Sequence, residues 1–371
     1  MFIIRMINND LSLIYKCGLK RLEYKLTLNA DDIRTMKLVL GVTLAILALA
    51  HAGVLREADH EYMYIPDDQG VAHLVDLLEK GEDLTGLSSG DEVFTRNVKT
   101  ITFNLFTRKN PTAGQNLTLN SMTSVRESNF HNNRPTRFIT HGWRSSQFSD
   151  ICVVIRDAYL SKGDYNVIVV DWSSIAGSFY ISAAPSVPGV ANGVALMINF
   201  LSANAGLNLE TTKLIGHSLG AHVAGIAART ALGTIDAVIA LDPALPLFNN
   251  AEPGSRVHRT DAAHVQVIHT NGGFLGIMDA IGDTDFYPNG GSSQPGCGLD
   301  LVGSCAHSRS YLYFAESILN PTGFPGTAQR TSVFKALDPN HRVYMGERTF
   351  DKDAYGNFHL RTARQAPFAL G

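Results

Sequence analysis

Apolar residues recur along this chain in two alternating rhythms. Continuous apolar runs stand at Arg137-Phe138-Ile139-Thr140, Asn166-Val167-Ile168-Val169-Val170-Asp171, Lys213-Leu214-Ile215, Ala237-Val238-Ile239-Ala240-Leu241 and His264-Val265-Gln266-Val267-Ile268. Short runs of this kind suit strands covered on both faces. Between them, apolar residues return every third or fourth position: Ile151, Val154, Ile155, Ala158 and Tyr159, then Val190, Val194, Met197, Ile198 and Leu201. That spacing lays a stripe along one side of a helix. Upstream, Ile101, Phe103 and Leu105 alternate with polar neighbours, which predicts a half-buried strand within 98–105. Strands alternating with helices predict an α/β fold, a mostly parallel central sheet with helices on both faces. In such sheets functional groups gather at the carboxyl ends of the strands.

Composition narrows the setting. The chain has 371 residues, 45% of them hydrophobic, enough for one large domain or two small ones. Formal net charge is −3 with no long basic run, so neither a nucleic-acid partner nor an electrostatic grip on anionic membranes is expected. Met36-Lys37, the apolar run from Leu38 to Ala50 and the small-residue site Ala50-His51-Ala52 have the form of a secretory signal peptide. The run is too short to span a bilayer, so no transmembrane anchor is expected. The expected division is an upstream extension at 1–35, a signal peptide at 36–52, a loose polar leader at 53–92 and one domain at 93–371. The product would be secreted. With Cys17 removed, Cys152, Cys297 and Cys305 remain, an odd number that suggests one bridge and one spare thiol. Cys297 and Cys305 share a Gly/Ser-rich loop, whereas Cys152 lies on an apolar helix and reads as a buried free thiol. Asn116-Leu117-Thr118 is a glycosylation sequon, so Asn116 is the expected acceptor.

The chemistry centres on Gly216-His217-Ser218-Leu219-Gly220. An apolar run precedes it and a small-residue segment, Ala221-His222-Val223-Ala224-Gly225, follows. This predicts strand, sharp turn and helix, with Ser218 at the apex. A serine hydroxyl needs a histidine to take its proton and a carboxylate to hold that histidine. In this architecture the chain order is serine, acid, histidine. Asp242, at a strand end and followed by Pro243, is the candidate acid; Asp171 precedes the serine and reads as structural. For the base, spacing leaves His258, His264, His269, His307, His341 and His359 open, with His307 first and His269 second. A bridged Cys305 would pin the loop of His307, and His269 ends a strand. Charge on a tetrahedral intermediate calls for two backbone N–H groups, expected from Leu219 and from Trp143 in His141-Gly142-Trp143.

Taken together, these segments resemble the animal pancreatic-type lipase family, and within it the insect secreted lipases and phospholipases A1. The resemblance runs from about Ile65 to the C-terminus. It rests also on Val170-Asp171-Trp172, Leu241-Asp242-Pro243-Ala244, Phe286-Tyr287-Pro288-Asn289-Gly290-Gly291 and Cys305-Ala306-His307-Ser308-Arg309. It implies an α/β-hydrolase fold with Ser218 as nucleophile, Asp242 as acid and His307 as base, and with Trp143 and Leu219 supplying the oxyanion N–H groups. Members specialised for triglyceride carry a long cysteine-bounded lid before the catalytic histidine, whereas here only residues 298–304 lie between Cys297 and Cys305. The loop from Asn271 to Thr284 is also short. Both features resemble the phospholipases and imply an accessible site. The chain ends soon after the catalytic domain, so neither a lipid-binding β-sandwich nor a colipase partner is expected. The calcium-ligand pattern of those relatives is not reproduced around Ala251–Asp261, so no metal and no cofactor is expected. The expected activity is therefore phospholipase A1 on a lipid surface. The alternatives are a triacylglycerol lipase of the same family and an inactive yolk or carrier homologue.

Overall fold

A computed structural model describes residues 2–7, 10–17, 20–27, 54–57, 60–78, 100–252, 254–328, 343–347 and 354–371. They belong to two units, 1–54 and 55–371. In the first, Phe2–Ile7, Asp10–Cys17 and Lys20–Thr27 form a three-stranded antiparallel sheet. The signal peptide expected at 36–52 lies outside the described residues.

The second unit is built on one sheet. Its parallel body consists of β5 (Thr136–Thr140), β6 (Asn166–Asp171), β7 (Thr212–His217), β8 (Ala237–Leu241), β9 (Val265–Ile268), β10 (Thr284–Pro288) and β13 (Gly356–Leu360). Antiparallel strands β3 (Thr102–Phe106) and β4 (Gln115–Leu117) extend one edge, and β11 (Pro325–Ala328) and β12 (Val343–Tyr344) the other. Among the described residues the order is β12-β11-β13-β10-β9-β8-β7-β5-β6-β3-β4. Helices α1 (Asp150–Lys162) and α4 (Ser304–Leu319) share one core with one face of the sheet. Helices α2 (Val187–Ala205) and α3 (Leu219–Thr230) share the other.

This is the α/β-hydrolase arrangement, and strand periodicity explains it. In β6, Val167 and Val169 enter the α1/α4 core while Ile168 and Val170 enter the α2/α3 core, and all four are fully buried. Each such side chain contributes about 1.5–3 kcal/mol on burial. The predicted stripes are the faces that α1 and α2 bury, except for Val154, which is partly exposed. Helix α2 ends at Gly206, whose left-handed φ of 71° closes it with an N–H to the Leu201 carbonyl. Cys152 is the buried free thiol expected, and burial raises its pKa strongly.

Three elements differ from the sequence reading; the first is the segment of His307, read as a loop, which belongs to helix α4 from Ser304 onward. Strand β3 is buried on both faces rather than half-buried, because Phe103 and Leu105 join one core and Phe106 the other. The stretch read as a loose leader, 53–92, contains an ordered hairpin. Its strands β1 (His60–Pro66) and β2 (Ala72–Asp76) bury Met63, Ile65 and Val75 in the α2/α3 core.

At the amino ends of the strands lies a buried ionic cluster. Arg137 and Lys213 are register neighbours on β5 and β7. One oxygen of Glu347 meets both, at 2.9 and 3.1 Å, and Tyr159 donates to the other at 2.6 Å. Burial alone would raise the carboxyl pKa of Glu347, but the two cations outweigh it and hold it below the usual range.

Candidate active site

Four elements deliver the predicted residues to the carboxyl edge of the sheet. Strand β7 ends at His217 and α3 begins at Leu219, with Ser218 between them at φ 57° and ψ −124°. A non-glycine residue is held there only by its surroundings. The flanking glycines are sterically required. A Cβ on Gly216 would lie 2.1 Å from the Gly220 carbonyl oxygen, and one on Gly220 would lie 2.4 Å from that of His141. Leu219 opens α3, so its N–H is among the donors a helix start leaves without an intrahelical partner.

Asp242 follows β8 at φ 42° and is fully buried. Its Oδ1 accepts N–H groups from Thr270 at 2.7 Å and Asn271 at 3.0 Å, and its Oδ2 faces His307 Nδ1 at 2.6 Å. The carboxylate is therefore fixed on both sides, and it fixes the imidazole in turn. His307 stands on the first turn of α4, where its N–H bonds the Gly303 carbonyl at 2.9 Å. Its own carbonyl accepts from His217 Nε2 at 3.2 Å. Burial and the neighbouring His307 hold the His217 pKa well below the usual histidine range, so His217 is a neutral donor. One pocket is lined by Ser218, His307, Gly142 and Trp143 together.

The loop after β5 is braced from β6. His141 stacks on Trp172, whose indole N–H donates to the His141 carbonyl at 3.0 Å. Asp171 Oδ1 lies 3.3 Å from His141 Nε2 and accepts the Ser173 N–H at 2.9 Å. Burial raises the Asp171 pKa, but these two partners outweigh it and hold it well below the carboxylate range. The Trp143 indole is buried, donates to the Ser178 carbonyl at 2.9 Å and meets Tyr180 edge-on. Gly142 keeps the loop close to Ser218, since a Cβ there would lie 3.0 Å from the serine Cβ.

Cys297 and Cys305 form the expected disulfide, with Cα atoms 5.6 Å apart. Within the loop they close, Asp300 accepts the N–H of Cys305 at 3.2 Å and of Ala306 at 2.7 Å, capping the helix that carries His307. Among the described residues, the grouping with metal-ligand spacing is Cys297, Asp300 and Cys305, whose sulfurs are consumed by that bridge. Asn116 is exposed on edge strand β4.

The other candidate histidines among the described residues have partners elsewhere. His269 is fully buried, 2.7 Å from the Ile277 carbonyl and 2.9 Å from Asp285. His264 bonds Thr284 and His258 bonds Thr260. His359 stacks on Tyr287, and His341 lies outside the described residues.

The lipase family profile matches residues 88–368. The chain belongs to the lipase family. Mouse pancreatic triacylglycerol lipase is 36% identical over 261 residues, covering 63% of this chain and 55% of its own length. Human pancreatic triacylglycerol lipase is 36% identical, covering 60% and 53%. A phospholipase A1 of the hornet Vespa crabro is also 36% identical, covering 63% of this chain and 83% of its own. The chain thus spans about half the length of the pancreatic relatives it matches. Among the described residues no helix is long and apolar enough to cross a membrane.

Sequence reasoning missed the groups that orient Asp242 and His307. The amides of Thr270 and Asn271 act through backbone and leave no residue signature. His217 was inside the serine motif, and only the fold brings it to the His307 carbonyl.

Proposed function

We propose that this chain is a secreted hydrolase of lipid carboxylic esters, and that Ser218, His307 and Asp242 perform the reaction. His307 Nε2 takes the Ser218 proton as the serine oxygen attacks the ester carbonyl. The backbone N–H groups of Leu219 and Trp143 receive the negative oxygen of the tetrahedral intermediate. His307 then protonates the leaving alcohol, and water releases the fatty acid by the same steps in reverse order of roles. Asp242 holds His307 in the tautomer with Nδ1 protonated. The observation that carries this reading is the 2.6 Å contact between His307 Nδ1 and Asp242 in a pocket shared with Ser218.

We favour phospholipase A1 activity, phospholipid and water giving lysophospholipid and fatty acid. The short disulfide-closed loop before His307 supports it, because seven residues at most form about two helical turns and cannot roof a wide funnel. Triacylglycerol hydrolysis is the second reading, favoured by the identity to pancreatic lipases. We also propose secretion after cleavage near Ala52, glycosylation at Asn116, and action without metal, cofactor or colipase.

The test is activity of purified protein on phosphatidylcholine and on triolein, side by side, with Ser218→Ala as control. Ser218→Ala should lose at least about a thousandfold in rate on a soluble short-chain ester. Retention of a tenth of the activity would remove Ser218 from the mechanism. Failure of a fluorophosphonate probe to label the protein would favour the inactive carrier.

A further inference from the structure

The hairpin β1–β2 precedes the residues matched by the family profile, 88–368. It nevertheless forms part of the pocket that holds Ser218 and His307, contributing Ile65, Pro66, Asp67 and Asp68 to its lining. Three attachments keep it there, each to a segment that carries site groups. The Asp68 carboxylate accepts the hydroxyl of Ser149, which precedes α1. His73 meets the Trp143 ring edge-on at 5.4 Å. Gly70 comes so close to Ser304, three residues before His307, that a Cβ there would lie 3.2 Å from its Oγ. The turn itself is rigid: Asp67 accepts the N–H groups of Gln69 at 3.1 Å and Val71 at 2.9 Å, and Gly70 takes the left-handed φ of 78°.

The chemistry of this wall is unequal to the rest. Trp143, Tyr180, Pro246 and Leu275 supply apolar lining suited to an acyl chain. The turn supplies two carboxylates, and Asp150 at the start of α1 adds a third beside them. Bonds from His73 and from the turn amides outweigh the effect of burial and hold the Asp67 pKa below its ordinary value. Asp68 stands exposed at the rim. An apolar chain laid against these groups would strip them of water without replacing its hydrogen bonds, whereas a polar head group leaves them solvated.

We infer that the 66–70 turn is the substrate-selecting wall of this site, with Asp68 its specificity-determining residue: it admits esters that present a polar head there and disfavours those that present a further acyl chain. The inference rests on Ser218 being the nucleophile and deepens that reading by naming the element that separates phospholipid from triglyceride.

The experiment compares Asp68→Ala and Asp68→Asn with the parent protein on three substrates: dihexanoyl phosphatidylcholine, trihexanoyl glycerol and a soluble p-nitrophenyl ester. Asp68→Ala should raise the triglyceride-to-phospholipid ratio of kcat/KM by about tenfold, the discrimination that desolvating one polar group supplies. Asp68→Asn keeps a polar group and the Ser149 partner, so it should return most of the parent ratio. An unchanged ratio in Asp68→Ala, or equal shifts in both variants, would overturn the inference and leave the hairpin a packing element. The p-nitrophenyl ester separates the two readings. Its hydrolysis by the parent and loss in Ser218→Ala sustain the nucleophile whatever the ratio does.

Discussion

Gly276 offers a perturbation that reaches Asp242, the proposed acid, without replacing any residue of the site. A Cβ on Gly276 would lie 2.5 Å from Cγ and Oδ1 of Asp242 and 2.6 Å from Oδ2. Ordinary contact begins near 3.4 Å, so loop and carboxylate must part by about 0.9 Å, on the scale of displacement that costs a pre-organised site roughly a hundredfold in rate. The carboxylate has little room to yield, being held by Thr270 and Asn271 on one oxygen and His307 on the other. Overpacking of this kind costs about 1–3 kcal/mol of stability. Gly276→Ala should therefore fold, lose a few degrees of thermal stability, and show kcat on a soluble p-nitrophenyl ester reduced about 30- to 100-fold with KM little changed. Gly273→Ala in the same loop is the control. Nothing lies within 4 Å of its Cβ, but φ is +84°, so it should lose about 1–2 kcal/mol of stability and keep kcat per folded molecule. A Gly276→Ala enzyme within about threefold of the parent kcat, with the control behaving as stated, would refute the view that a fixed Asp242 is what orients His307.

Gly220→Ala presses its methyl on two backbone carbonyls, at 2.4 and 2.5 Å; these cannot rotate away, so no folded protein should accumulate, as soluble yield and circular dichroism would report. Glu347→Gln leaves Arg137 and Lys213 buried without their shared counter-charge, and urea unfolding should show a loss of about 3–5 kcal/mol with the p-nitrophenyl ester rate per folded molecule retained. His222 donates to the Ala244 carbonyl at 2.8 Å, and burial pulls its pKa down to about 3. Between that value and the unfolded value near 6.5, the unfolded chain holds a proton the folded chain does not. Stability therefore falls as pH drops below about 6.5, and His222→Gln should shrink the difference in unfolding free energy between pH 7 and pH 5 by about 2 kcal/mol. An equal pH dependence in parent and variant would remove His222 from the account.

Much of this architecture was readable because it obeys short-range rules. Five of the seven parallel strands announce themselves as apolar runs, whereas β10 and β13 do not, and Ser218 and Asp242 each stand where such a run stops. His307 obeys no rule of that kind. It sits one turn into a helix, 65 residues from its partner Asp242, and spacing left His269 as a competitor until the fold turned His269 toward Ile277 and Asp285. The hairpin was unreadable for a different reason. Its three buried residues, Met63, Ile65 and Val75, are interleaved with the exposed Tyr64 and Leu74, so the segment resembles a solvated leader until the α2/α3 core it packs against exists. The grip of Thr270 and Asn271 on Asp242 is carried by amides that every residue has.

The cluster around Glu347 makes the molecule a judge of its own length. Ser218, Asp242 and His307 are all present by position 307, well before the carboxylate that neutralises Arg137 and Lys213 arrives. A chain halted between those positions would carry the three proposed reacting residues and two like charges side by side on β5 and β7. The penalty, about 3–5 kcal/mol, is a large part of the 5–15 kcal/mol by which a typical domain holds together. A copy without Glu347 thus keeps the three proposed reacting residues but loses a large share of the free energy that holds the fold.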